Sequence, residues 1–227
     1  MAKTPLSFNQ KLFLDFVSEE KTINDLFYFT GGTALSEFYL QHRYSEDLDF
    51  FSEEEFEIKD ITLLLQSKRK KFGNPKIEFK QSFNRNIYQL IYLKNQFLKV
   101  EFTYFPFKRI DSRNKENNIK IDSLIDIAVN KVFTIYQNPR GRDYFDLFFI
   151  FKKEKTLSFE NLIKLARIKF DTNIDYLQLG TNLIKVVKMK DDPIIKNVID
   201  ITAVENFFLN MAKKLKNEFI THKKIHR

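Results

Sequence analysis

The chain of 227 residues has no cysteine, no tryptophan, and only five glycines and five prolines. Without cysteine there can be no disulfide framework and no zinc–thiolate site, and the composition fits a reducing compartment. So little glycine and proline, beside 43% hydrophobic and 15% aromatic residues, excludes a low-complexity or disordered chain. No apolar run approaches the roughly 20 residues that cross a bilayer. The opening MAKTPLSFNQK also lacks the apolar core of a signal peptide. A soluble, cytoplasmic protein with no membrane partner is expected. No internal repeat interrupts the pattern.

What the chain has in quantity is phenylalanine, 26 residues, and positive charge, a net +8. The charge is uneven: Lys plus Arg against Asp plus Glu is 17 against 16 over residues 1–113 and 21 against 14 over the rest. A basic half beside a balanced, carboxylate-bearing half suits a polyanion held by one and a metal held by the other. A lysine-rich solvated surface would account for the charge equally well.

The most informative stretch is TGGTALSEFYLQHRYSEDLDFF, residues 30–51. The apolar run Leu26-Phe27-Tyr28-Phe29 reads as a strand, Gly31-Gly32-Thr33 as a turn, the next residues as a helix, and Asp47-Leu48-Asp49-Phe50-Phe51 as a second strand. Paired glycines at a strand end let backbone approach a phosphate and leave amides free at a helix start, where the dipole favours an anion; Thr33 can add its hydroxyl. On the second strand Asp47 and Asp49 share one face and Leu48 and Phe50 the other. Parallel carboxylates repel unless a cation lies between them, and a hard ion such as Mg²⁺, or Mn²⁺, carried in with nucleotide phosphates suits them. A lone Gly-Gly is an ordinary turn and a lone Asp-x-Asp an ordinary strand edge. Their order about one helix makes the pair informative.

Along the rest of the chain, residues 7–20 have a helical apolar period, and Asp60 is expected to cap a helix to about Phe72. Its basic end, Lys68 to Lys71, suits the helix dipole. After Gly73-Asn74-Pro75, three alternating segments (76–82, 86–93, 97–104) read as an antiparallel meander. Glu101 lies on the polar face of the last and is a candidate third metal ligand, because two-metal sites need more negative charge than one pair supplies. An exposed glutamate on an edge strand would look the same. Residues 105–120 read as irregular.

From Asp122 the period is helical, with Lys131 on or beside the inward stripe, where a lysine is costly unless paired. A second helix follows Asn138-Pro139-Arg140-Gly141, with Asp143 and Asp146 on one face. Beyond residue 156 everything reads as helix: one capped by Ser158 through Phe170, one capped by Thr172 or Asn173 through Met189, a region opened by Asp191-Asp192-Pro193, and a long helix from about Ala203 to Ile220. The basic tail (Lys213, Lys214, Lys216, Lys223, Lys224, Arg227) can grip RNA phosphates or be a solvated end. His42 sits at a helix end, and the Phe148-Phe149-Ile150-Phe151 run reads as core.

Two blocks resemble the signature of the AbiEii/AbiGii toxin family of nucleotidyltransferases. The first is Gly31, Gly32, Thr33, Ala34, Leu35 with His42, Arg43, Ser45, Glu46, Asp47, Leu48, Asp49, Phe50; the second is Ala128, Lys131, Arg142, Asp143 and Asp146. The resemblance implies an α/β fold, a nucleotidyltransferase-like mixed sheet flanked by helices (1–110), followed by a helical C-terminal domain (111–227) that completes an active-site cleft. It implies transfer of a nucleoside monophosphate from a nucleoside triphosphate, with the tRNA 3′ end as the first acceptor expected, by a toxin with a cognate antitoxin in a toxin–antitoxin or abortive-infection pair. Asp47, Asp49 and Glu101 would hold Mg²⁺. Gly31, Gly32, Thr33, Arg43 and Ser45 would bind the nucleotide. Lys131 would contact the triphosphate, with Asp146 and Asp143 holding it or acting on the incoming group. The alternatives are nucleotidylation of a protein or small molecule, and a nucleotide-binding module without transfer.

Overall fold

Ser7 opens the first helix with reciprocal caps: its Oγ accepts the Gln10 amide at 3.2 Å and Gln10 Oε1 accepts the Ser7 amide at 2.8 Å. Helix α1 (Phe8–Glu19) is followed at once by α2 (Lys21–Leu26), so the strand expected from Leu26 is shortened to β1 (Tyr28–Thr30). This computed structural model describes residues 5–112, 114–189 and 200–225, without the side chains of residue 95 and residues 216–225. The chain divides into two units, Met1–Ser123 and Leu124–Arg227.

In the first unit, α3 (Gly31–Ala34) continues as a π-helical stretch Leu35–Leu40 and stops at Gln41, which takes a left-handed φ of 51°. Strand β2 (Leu48–Ser52) begins one residue after Asp47. Next come α4 (Ile58–Lys68) and a 3₁₀ turn Arg69–Phe72. The N-cap of α4 is Glu57, and Asp60 lies in the first turn instead, where its negative charge suits the dipole without capping. In the basic run, Lys71 reaches Glu19 at 2.9 Å.

The meander is present as β3 (Lys76–Ser82), β4 (Arg85–Ile91) and β5 (Phe97–Tyr104). The segment read as irregular contains two short strands, β6 (Lys115–Glu116) and β7 (Ile119–Ile121). All seven form one mixed sheet in the order β3-β4-β5-β2-β1-β7-β6. Strand β5 is therefore not an edge: it pairs antiparallel with β4 and parallel with β2.

The two faces of the sheet differ. Leu48, Phe50, Tyr88, Leu90, Val100 and Phe102 are fully buried on one. There α1 packs Phe13 on Phe50 with ring centroids 6.3 Å apart, and α4 sets Thr62 Oγ1 2.7 Å from the Tyr88 hydroxyl. Fully burying a large apolar side chain contributes about 1.5–3 kcal/mol, so this face carries the unit's stability. The other face presents Asp49, Lys99, Glu101 and Arg85.

The second unit is helical throughout its described residues: α5 (Leu124–Gln137), α6 (Gly141–Lys153), α7 (Phe159–Phe170), α8 (Tyr176–Ile184) and α9 (Ile201–Ile225). Ser158 caps α7 as expected, its Oγ accepting the Asn161 amide at 3.1 Å. The cap of α8 is Asp175, whose Oδ1 accepts the Gln178 amide at 2.7 Å, displacing Thr172 and Asn173 from that role. Asp191-Asp192-Pro193 lies outside the described residues. In the phenylalanine run, Ile150 is buried, and half-buried Phe148 and Phe151 pack on Phe207 of α9 at 5.3 and 5.6 Å. No helix among the described residues is long and apolar enough to cross a membrane.

Candidate active site

The register of β2 on β5 decides what the Asp-x-Asp pair faces. Asp49 is the cross-strand partner of Glu101 and Phe51 of Thr103, so Asp47, Asp49, Lys99, Glu101 and Thr103 fall on one face. On β4, Arg85 is opposite Thr103 and joins them. Three carboxylates from two parallel strands thus share a face with two cations.

Each cation is engaged. Arg85 holds Glu101 bidentately, Nε to Oε1 and Nη2 to Oε2 both at 2.6 Å, and the Thr103 hydroxyl donates to the same Oε1 at 2.9 Å. Lys99 Nζ is 2.6 Å from Asp47 Oδ2 and 3.9 Å from Glu101 Oε2. Burial alone would raise the Glu101 carboxyl, but the Arg85 guanidinium, the Thr103 hydroxyl and the Lys99 charge outweigh it and hold it below the usual carboxylate range. Arg85 is raised in turn by its hydrogen bonds to Glu101 and by the Glu101, Asp49 and Asp47 charges, against burial. Among the described residues, no three histidine, aspartate or glutamate side chains are gathered as they stand to hold a metal ion. Lys99 and Arg85 occupy that electrostatic role.

The glycine turn is fitted to this face. Gly31 has φ +76° and lies so close to Asp49 that a Cβ would strike its carboxylate. Gly32 abuts Arg43 in the same way: a Cβ would strike Nη2 and come within 3.1 Å of Ser45 Oγ. Both glycines therefore exist for close approach, one to an acid and one to a base. Arg43 is buried, with Nη1 donating to the Tyr44 carbonyl at 2.9 Å, and His42 beside it is buried as well. The Gln10 amide group donates to the Ser45 carbonyl at 2.8 Å, tying the loop to α1. Thr33, expected at a phosphate, is buried and its hydroxyl donates to the Asp47 carbonyl, so it fixes the main chain that carries the first acid.

Asp122 is a residue that sequence reasoning missed. Its Oδ2 accepts the Thr30 hydroxyl at 2.6 Å, its carbonyl accepts the Tyr39 hydroxyl at 2.9 Å, and it is wholly buried. Thr30 is the cross-strand partner of Asp49 and the residue from which α3 starts. Asp122 thus braces the turn from β7. Lys99 and Arg85 were missed too: an alternating strand hides which neighbour its polar residues meet. Asp122 had a visible signal, an acid opening a strongly apolar helix period, which reads as a cap.

In the second unit the expected residues do meet. Lys131 Nζ on α5 lies 2.7 Å from Asp143 Oδ1 and 2.6 Å from Asp146 Oδ2 on α6, with both aspartates fully buried. Asp143 Oδ2 also accepts the Arg140 amide at 3.2 Å and Nε at 3.0 Å, so the acid caps α6 as well as pairing with the lysine. Burial would raise the Asp143 carboxyl; the Lys131 charge and the Arg140 hydrogen bond and charge hold it low. A second buried pair, unforeseen in the sequence, joins α7 to α5: Lys169 Nζ to Asp126 Oδ1 at 2.7 Å.

Comparison with known proteins bears on both units. An uncharacterized protein of Aquifex aeolicus, aq_aa25, is 30% identical over 166 residues, covering 70% of this chain and 72% of that one. The crystal structure of JHP933 from Helicobacter pylori superposes with a TM-score of 0.61 at 22% identity, covering 96% of this chain and 97% of that one. A second H. pylori structure, described as a nucleotidyltransferase, gives 0.62 at 22% identity, covering 95% and 98%. At that identity the likeness establishes the fold. The sequence model described as "Nucleotidyl transferase AbiEii toxin, Type IV TA system" matches residues 16–218, nearly the whole chain, and with the Gly-Gly turn, the Asp-x-Asp strand and the Lys131 cluster in place the protein belongs to that toxin family.

Proposed function

We propose that the protein is a Mg²⁺- or Mn²⁺-dependent nucleotidyltransferase that moves a nucleoside monophosphate from a nucleoside triphosphate to the 3′ end of tRNA. One observation carries the reading: Asp49 and Glu101, far apart in sequence, are cross-strand partners on the face that Asp47 joins and against which Gly31 is closed. An all-oxygen donor set of this kind suits a hard divalent ion, and the Lys99 ammonium between Asp47 and Glu101 marks the place as one that takes positive charge.

In the reaction, the acceptor hydroxyl oxygen bonds to the α-phosphorus and gives its proton to solvent, the α–β phosphoanhydride bond breaks, and pyrophosphate leaves with the electron pair. A divalent ion, when bound by Asp47, Asp49 and Glu101, would neutralise charge on the phosphate oxygens. Gly31 and Gly32, both half-buried at the start of a helix, would turn their amides to the phosphates. Thr33 holds the Asp47 main chain, and Arg43 and Ser45 define the wall beside Gly32. Lys131 stabilises triphosphate charge, and Asp143 and Asp146 hold its ammonium in place. Exposed Lys213 and Lys214, with the charge excess of the second half, support a polyanionic acceptor. As a type IV toxin it has a cognate antitoxin.

The test is incubation of the purified protein with total tRNA, Mg²⁺ and each labelled nucleoside triphosphate in turn, beside Asp49→Ala. Label in RNA with the wild type alone is the expected result and identifies the base. Label in a protein or small-molecule fraction would replace the acceptor. Nucleotide binding without label anywhere would overturn transfer.

A further inference from the structure

Lys99 is not among the residues the family motifs single out, yet it is placed at the centre of the carboxylate row. Its neighbours on β5, Val100 and Leu98, are buried on the apolar face, which fixes the Lys99 stem toward Asp47 and Glu101. Its ammonium lies 2.6 Å from one carboxylate and 3.9 Å from the other, and its side chain is one-third exposed. Arg85, whose own side chain is more exposed at 52%, differs in how it is held. Its planar fork grips both oxygens of a glutamate whose side chain is only 4% exposed. A bidentate guanidinium is a fixed brace, whereas a single ammonium on a four-carbon stem near water can leave.

We propose that Lys99 is the resident counter-cation of the metal site. In the metal-free protein its ammonium stands where a divalent ion would neutralise Asp47 and Glu101. When nucleotide and ion arrive together, it withdraws from Asp47 to a phosphate oxygen of the nucleotide. The exchange conserves the balance of the row: the carboxylates trade one positive charge for the ion, and the displaced ammonium finds the anion that accompanies the ion. The ion alone offers Lys99 no such partner and meets a like charge at the site, so ion and nucleotide bind cooperatively. Lys99 is thus a positioning residue that makes loading with the ion conditional on nucleotide. The inference rests on the metal reading of Asp47, Asp49 and Glu101.

The experiment is a Mn²⁺ titration of the full chain followed by electron paramagnetic resonance, with and without a non-hydrolysable nucleoside triphosphate, for wild type, Lys99→Met, Lys99→Arg and Asp49→Asn. Thermal unfolding confirms that each variant is folded. The wild type is expected to bind Mn²⁺ weakly alone and more tightly with nucleotide, and Asp49→Asn to lose that site. Lys99→Met should bind Mn²⁺ alone about tenfold more tightly, the scale of removing one adjacent charge at a partly exposed site, and should lose most of the nucleotide dependence. Lys99→Arg keeps the charge but can fork onto the carboxylates and stay, so it should bind Mn²⁺ alone as weakly as wild type and gain less from nucleotide. Equal affinities and equal nucleotide dependence in wild type and Lys99→Met, with Asp49→Asn still defective, would overturn the role of Lys99 and leave the metal reading standing. Mn²⁺ binding indifferent to Asp49→Asn in every protein would overturn the metal reading and this inference with it.

Discussion

Replacing Lys131 by methionine removes the ammonium that lies 2.7 and 2.6 Å from two aspartates with side chains 0% exposed. Arg140 still serves Asp143, and Asp146 loses the cation 2.6 Å from its Oδ2. Breaking a buried pair by deleting one partner costs about 3–5 kcal/mol. A second route to the magnitude is the cost of protonating the acid that loses its cation. From an ordinary aspartate value of about 3.9, holding a carboxyl neutral at pH 7 costs about 4 kcal/mol, and at pH 5 about 1.5 kcal/mol. The two agree at neutral pH, and the second adds a direction. With the cation gone a buried acid favours its neutral form, so stability is retained at low pH and lost as pH rises. Urea unfolding followed by the helical circular dichroism signal should give a loss of about 4 kcal/mol at pH 7, shrinking by about half or more at pH 5. On melting, the same loss lowers Tm by roughly 15 °C. Adding Asp146→Asn to Lys131→Met removes the buried charge and should restore most of the stability without restoring nucleotidyl transfer. A loss below about 1 kcal/mol, or one equal at pH 5 and pH 7, would refute the reasoning, because either means that water or the remaining partners satisfy the carboxylate without Lys131.

Other substitutions separate backbone from charge. Gly31→Ala forces a side chain into a left-handed conformation, costing roughly 1–2 kcal/mol, and displaces the Asp49 carboxylate; transfer should collapse while the apolar face stays intact, measured as activity against Tm. Glu101 has a lowered folded-state pKa, so its contribution is present above the unfolded value of about 4.3 and is lost as pH falls through the lower folded one. Glu101→Gln should therefore flatten the acid limb of stability against pH relative to wild type, measured by urea midpoints between pH 5 and pH 3. Gly180 is on α8, and a Cβ there would meet nothing within 4 Å. Gly180→Ala should raise stability by about 0.5–1 kcal/mol through helix propensity alone, read from the urea midpoint.

Local chemistry was legible in the sequence and long-range pairing was not. Ser158 and the glycine turn announce themselves within a few residues, because caps and positive φ values are decided by neighbours. The meander was legible because its turns are short. What stayed hidden was the parallel pairing of β2 with β5 and of β1 with β7, which joins segments separated by a helix and a hairpin. That pairing makes β5 central, gives Glu101 its Asp49 neighbour, and brings Lys99 to Asp47. No local pattern in KVEFTY distinguishes that strand from an exposed edge. Likewise Thr172, Asn173 and Asp175 are all acceptable caps in a row, and which one starts α8 depends on where the helix is held by its packing. The Lys131 cluster was readable in two parts: a lysine in an apolar helical stripe demands a partner, and the family resemblance named Asp146 and Asp143 as that partner.

The division of labour between the two faces of the sheet sets how activity data should be interpreted. Phe50, Val100 and Phe102 are 0% exposed and alternate along the strands with Asp49, Lys99 and Glu101, so the same strands carry the core on one side and the charges on the other. Losing a partly exposed charge pair such as Asp47 with Lys99 costs about 1 kcal/mol or less, far below the loss of a buried phenylalanine, about 3–5 kcal/mol. Substituting Asp47 or Asp49 should therefore silence transfer in a protein that remains folded. Lys131 lacks that separation, since its partners are buried within the helical unit that it stabilises. An inactive Lys131 variant bears on chemistry only once Asp146→Asn has returned its stability, which makes the rescued double variant the decisive control for any role of Lys131 at the triphosphate.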